Sequence, residues 1–167
     1  IETLSLAIKD FRSAYLMEKN TANSRQAFVN FINTSISLCN HENLISKTKN
    51  SFELFSEAVN HFEENEYELI QDKKIIFAII RVYKKLIETK KVRYYFSYLV
   101  KNNLVNSFVL TNYIYINCFF KDWTQEQFLK YGKILNNLIP EYPEDKFIPI
   151  NKIKKQKIRI GFISADI

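Results

Sequence analysis

The chain has 167 residues, a formal net charge of +6 and a pI near 9.2, with 47% apolar and 15% aromatic residues. That length fits one ordinary domain, and the apolar fraction excludes an intrinsically disordered chain. The positive balance permits a polyanionic partner without requiring one, and no apolar run approaches the roughly 20 residues that would cross a bilayer.

Both glycines and all three prolines lie from Gly132 onward. Everything before Gly132 lacks the usual breakers, which favours helices joined by Asn- and Ser-based turns over a strand-rich fold. Leu4, Ala7, Ile8, Phe11, Ala14 and Tyr15 recur at helical spacing over about 3–18. The turn and cap residues of 20–24 lead into a second helix over about 22–39, with Phe28, Phe31, Ile32, Ile36 and Cys39 inward. The short connection makes these two an αα-hairpin. Residues 40–50 read as a loop or frayed turn. Asn50, with Glu53 at the capping-box position, opens a third helix carrying Phe52, Phe55, Ala58, Val59 and Phe62. An acidic turn with Glu63, Glu64, Glu66 and Glu68 follows.

Asp72 caps a fourth helix with the stripe Ile75, Ile76, Ile79, Val82, Tyr83, Leu86 and Ile87. Residues 89–91 separate it from a fifth over about 92–101, with Val92, Tyr95, Phe96, Leu99 and Val100. Asn102 and Asn103 break or dent the next segment, and Leu104 to Cys118 form a sixth helix. Thr124 and Gln127 make a capping box for a seventh, whose Phe128, Tyr131, Ile134, Leu135 and Leu138 face inward until Pro140 stops it. Residues 140–156 then change to a basic, proline-bearing linker. Residues 157–167 (KIRIGFISADI) read as one buried parallel strand, ending in small and polar residues where such strands deliver chemistry.

The expected architecture is all-α: antiparallel hairpins over 1–139 stacked as a degenerate, tetratricopeptide-like solenoid, followed by the linker and a lone strand. No clean 34-residue repeat signature is present. Ile1 is not an initiator Met and no signal-peptide pattern follows it, so the chain reads as a fragment, with the cytoplasm as its expected compartment. Cys39 and Cys118 are expected to be buried thiols in a reducing environment. His41 and His61 lack metal-ligand neighbours and read as surface histidines, and the glutamates as a solvated helix end. Lys152, Lys154, Lys155, Lys157 and Arg159 form the strongest basic cluster. A solubilising linker accounts for it better than a nucleic-acid surface, because its lysines alternate with isoleucines.

Two pieces of the C-terminal third carry a family resemblance. Asn112 to Gln127 (NYIYINCFFKDWTQEQ) resembles the last helix before the catalytic region of the O-linked N-acetylglucosamine transferase family, including its bacterial relatives. Lys157 to Asp166 resembles that family's opening strand, basic and apolar around Arg159, then Gly161, aromatic Phe162, Ser164 and Asp166. Ile167 departs from the family's usual Phe, and the earlier helices are poorer in Ala and Gly than good tetratricopeptide repeats.

The resemblance implies a parent enzyme with two Rossmann-like lobes. It would transfer a sugar from a nucleotide donor to a protein hydroxyl, with inversion and without a metal. The helical region would bind and orient the acceptor protein. The family's histidine would follow Ile167 and the donor pocket would sit in the second lobe, so this stretch alone carries no catalytic residue, metal or cofactor. Tyr95, Tyr98, Asn106, Asn112 and Tyr113 are the expected acceptor-binding residues: aromatic rings for a groove, with asparagine amides for a peptide backbone. Helix–helix packing is the competing reading of those aromatics. The competing functions are a non-catalytic adaptor that only binds proteins, and a basic nucleic-acid-binding domain.

Overall fold

The computed structural model describes residues 2–17, 21–44 and 50–139. Among them the fold is all-α and holds no strand: α1 (Glu2–Met17), α2 (Ala22–Leu44), α3 (Asn50–Glu64), α4 (Glu66–Leu69), α5 (Lys73–Lys85), α6 (Thr89–Lys101), α7 (Ser107–Asn117) and α8 (Gln125–Leu138). No described helix is long and apolar enough to cross a membrane. The linker expected over 140–156 and the strand expected over 157–167 lie outside the described residues.

The core is organised on α5. Its sequence alternates a continuous apolar side with a polar one, and Ile75, Ile76, Ala78, Ile79, Ile80, Val82 and Tyr83 are all buried. Each fully buried isoleucine contributes about 2 kcal/mol of hydrophobic stabilisation. The expected cap is in place: the Lys74 amide donates to Asp72 Oδ1 at 2.8 Å. α5 packs against α2, α3 and α6. Phe28, Phe31 and Ile32 of α2 and Phe55, Ala58 and Phe62 of α3 are buried in the same core, as are Val92, Tyr95, Phe96 and Leu99 of α6. α1 lies along α2, α7 along α6, and α8 along α7.

Several boundaries differ from the sequence expectation. α2 continues past Cys39 through Leu44, so residues 40–44 belong to the helix. Residues 89–91 are the first turn of α6 rather than a separator. The break falls instead on Ile87, which the apolar spacing places on the inner stripe of the preceding helix but which lies beyond the end of α5. This residue is 80% exposed and sits at φ 61°, left-handed backbone that a β-branched residue adopts only under constraint. Two bonds supply the constraint: the Glu88 amide donates to Tyr83 O at 2.9 Å and the Ile87 amide to Lys84 O at 3.3 Å, which close a Schellman motif. Asn103 ends α6 in the same way, at φ 57°, with Leu104 donating to Leu99 O and Asn103 to Val100 O. Asparagine tolerates that conformation.

Leu104 and Val105 therefore precede α7, and Asn106 is its N-cap, accepting from the Val109 amide at 2.8 Å. The capping box of α8 forms as the sequence implies. Gln127 donates its amide to Thr124 Oγ1, and Thr124 returns its amide to Gln127 Oε1. The inward stripe expected on α8 is not buried: Phe128 is 47% exposed, and Ile134 and Leu138 are exposed too, while Tyr131 and Leu135 are partly covered. Cys39 is buried as expected, but Cys118, at the C-cap of α7, is exposed.

Candidate functional site

The asparagines of α2 and the cations of α5 meet across the helix interface. Arg81 Nη1 donates to Asn33 Oδ1 at 2.7 Å, and Lys85 Nζ donates to Asn40 Oδ1 at 2.8 Å. The two bonds follow the same order along both helices, so α2 and α5 run parallel. The same holds one helix further on. Phe77 of α5 meets Phe108 of α7 edge-on, with ring centroids 6.0 Å apart, and Lys84 Nζ donates to Asn112 Oδ1 at 2.8 Å. Three parallel helices thus present one shared face.

Local sequence explains why these groups point outward together. Asn33 and Asn40 are seven residues apart, two helical turns, and stand on one stripe of α2. Phe77, Arg81 and Lys84 or Lys85 recur at the three- and four-residue spacing of the polar side of α5. None of the three cations pairs with a carboxylate among the described residues. Lys84 also stands over the Phe96 ring at 5.4 Å, and its partial burial lowers its pKa. Because the asparagine oxygens accept from cations, the Nδ2 donors of Asn33 and Asn40 have no acceptor among the described residues. The face therefore offers amide donors and positive charge, which suits a chain of carbonyls flanked by acidic side chains.

The five expected acceptor-binding residues are not brought to one place. Asn112 lies on this face, though its Nδ2 is already donated to Phe108 O at 2.9 Å. Asn106 begins the same helix and is occupied as its cap. Tyr113 points to the other side of α7, edge-on to both Trp123 and Tyr131, whose rings stack 5.6 Å apart. Burial raises its phenol pKa. Tyr98 is half-buried against the core. Tyr95 is a core residue and presents no surface for a ligand. Its ring stacks on Tyr83 at 5.6 Å and its hydroxyl donates to Glu66 Oε1 at 2.9 Å. The sequence reading missed Asn33, Asn40, Arg81, Lys84 and Lys85. The seven-residue spacing of the asparagines was the one available signal.

Two other expectations change with the geometry. The acidic stretch is more than a solvated helix end. Glu63 Oε1 accepts from Tyr83 at 2.8 Å and from Lys91 at 2.9 Å, bonds that lower its pKa, and Glu66 holds Tyr95. His61 is not a surface histidine. Its ring sits between Tyr15 and Phe28, at 4.7 and 4.8 Å, and burial lowers its pKa against the opposing pull of Glu64 and Glu57. Beside it, Glu57 Oε1 accepts from the Tyr15 hydroxyl and pairs with Arg12, both at 2.7 Å. Cavities of about 680 and 250 Å³ flank His61, the smaller one lined also by Arg25, whose buried Nε has no hydrogen-bond partner among the described residues. No three His, Cys, Asp or Glu side chains among the described residues could hold a metal ion.

No protein-family model, curated protein or solved structure matches this chain significantly.

Proposed function

We propose that the chain is a peptide-binding helical region of a protein O-glycosyltransferase, and that the α2–α5–α7 face receives the acceptor as an extended, acidic polypeptide. The observation that carries the reading is the pair of cation–asparagine lines joining three parallel helices. Alternate helices standing side by side, with α3, α6 and α8 as their hairpin partners, support a degenerate tetratricopeptide-like stack. In such a stack one set of helices forms a continuous surface. Helices spaced about 8–10 Å apart offer some 20 Å of face here, a span of roughly six extended residues.

The chemistry of the face favours a peptide over nucleic acid. Three cations, all on α5, make a sparse charge pattern beside the phosphate repeat of a duplex, and the asparagine donors on α2 match backbone carbonyls. The transferase setting rests on the resemblance of Asn112–Gln127 and Lys157–Asp166. In that setting this region positions the acceptor, and the donor nucleotide sugar binds elsewhere in the parent enzyme.

The test uses a fluorescently labelled, extended Ser/Thr peptide of roughly ten residues rich in Asp and Glu, with a Lys-rich peptide as control. Saturable binding of the acidic peptide that Arg81→Glu with Lys85→Glu abolishes is the expected result. Equal binding of both peptides, or none, removes the peptide-face reading. Sugar transfer to the same peptide by the parent protein separately tests the enzymatic setting.

A further inference from the structure

Four helices converge on the smaller of the two cavities beside His61. α1 brings Leu16, α2 brings Arg25 and Phe28, α3 brings His61 and Glu64, and α4 brings Leu69, around a space of about 250 Å³. Arg25 and Phe28 are three residues apart, as are His61 and Glu64, so each pair stands on one side of its helix and faces the same space. Arg25 is the anomaly. Its side chain is half-buried, its Nε is fully covered, and no hydrogen-bond acceptor or carboxylate among the described residues reaches it. A buried charged donor is unfavourable in the folded state until an acceptor reaches it. Glu64, exposed at the rim of the same cavity, pairs with no cation among the described residues either. Two opposite charges thus line one cavity without closing on each other.

We propose that this cavity binds a free α-amino acid with an aliphatic side chain, its carboxylate on Arg25, its ammonium group on Glu64 and its side chain against Leu16, Phe28 and Leu69. A guanidinium offers a carboxylate two parallel N–H donors, and a fork that includes Nε satisfies the buried nitrogen. Asn65 adds an acceptor for the ammonium group: its Nδ2 donates to His61 O at 2.8 Å, which leaves Oδ1 to accept. The charges decide against simpler ligands. An anion alone would lie beside Glu64 and a cation alone beside Arg25, whereas a zwitterion matches both. His61 adds no third charge near neutral pH, because burial holds its pKa below the ordinary value. Size sets the rest. The volume falls below the roughly 300–1,000 Å³ of pockets that hold drug-sized ligands, and Phe28 and Leu69, both buried, give it an apolar floor. The cavity shares no residue with the α2–α5–α7 face, so either can fail without the other.

Calorimetric titration of the full chain with L-leucine tests this, with leucinamide, isocaproate and glycine as controls. Leucine should bind saturably at millimolar concentration or below. Leucinamide lacks the carboxylate, isocaproate the amine and glycine the side chain, and each should bind at least about tenfold more weakly. Arg25→Gln should weaken leucine at least about tenfold and leave leucinamide no weaker. Glu64→Gln should weaken leucine and leave isocaproate no weaker. Both variants should keep the urea midpoint of the natural chain, since neither side chain has a charged partner among the described residues to lose. A lower midpoint for Arg25→Gln without leucine would give Arg25 a structural partner and overturn the proposal. It is overturned too if leucine does not bind saturably, or if leucinamide or isocaproate binds as tightly as leucine.

Discussion

Arg81 on α5 donates to Asn33 on α2 at 2.7 Å across 48 residues of sequence, and both side chains lie at the surface rather than in the core. Such a bond adds little to stability, yet it fixes the position of an arginine that no carboxylate among the described residues neutralises. With Lys85 on Asn40 and Lys84 on Asn112 it sets a line of charge and amide donors across three helices.

Reversing this charge separates binding from folding. Arg81→Glu with Lys85→Glu should weaken the acidic peptide at least about tenfold and reduce the salt dependence of what remains. Because both groups are exposed, unfolding free energy should move by less than about 1 kcal/mol. Anisotropy titrations at two salt concentrations and urea denaturation measure the two quantities.

Tyr95 predicts the converse. Removing its hydroxyl leaves Glu66 without that donor, while the ring can still stack on Tyr83 inside the core. Tyr95→Phe should cost about 1 kcal/mol of stability and leave peptide affinity unchanged. An affinity loss with unaltered stability would return Tyr95 to the binding surface.

Ile87 holds a left-handed conformation at the end of α5. Ile87→Gly removes that strain from an exposed residue, and the gain exceeds the added freedom of the unfolded chain. The variant should be more stable by about 0.5–1 kcal/mol, visible as a rise in Tm of a few degrees.

His61 links stability to pH. Burial holds its folded pKa below the ordinary value of 6.5, so the unfolded state binds the proton more readily in the window just below that value. Stability is therefore lost as pH falls from about 7 through that window, and recovered as it rises. Glu63 adds a second loss at lower pH, because its carboxylate is held below its ordinary range. His61→Gln should flatten the upper part of the profile and keep the lower. Urea denaturation across pH 7 to 5 checks the difference.

How much was legible in the sequence differs by element. Local chemistry announced the capping box at Thr124 and Gln127 and the cap at Asp72, and apolar periodicity announced the buried side of α5, because each depends only on near neighbours. The break at Ile87 was not legible, since no local preference places a β-branched residue there; the Schellman bonds to Tyr83 and Lys84 impose it. Periodicity put Tyr95 among the apolar residues of the fifth helix while the resemblance put it on the acceptor surface, and the stack on Tyr83 with the bond to Glu66 sets it in the core. Periodicity marked the apolar residues of α8 without showing what covers them. The candidate face was the least visible of all, because Asn33 and Arg81 become neighbours only once the helices stack.

Nuclear magnetic resonance of the side-chain amides gives the most direct test of the peptide-binding face. On titration with the acidic peptide, the Nδ2 proton signals of Asn33 and Asn40 should shift together and saturate at one affinity, and those of Asn102, which donates to Tyr98 O at the C-cap of α6, should stay in place. Shifts that leave Asn33 and Asn40 unmoved while the peptide binds would contradict the account.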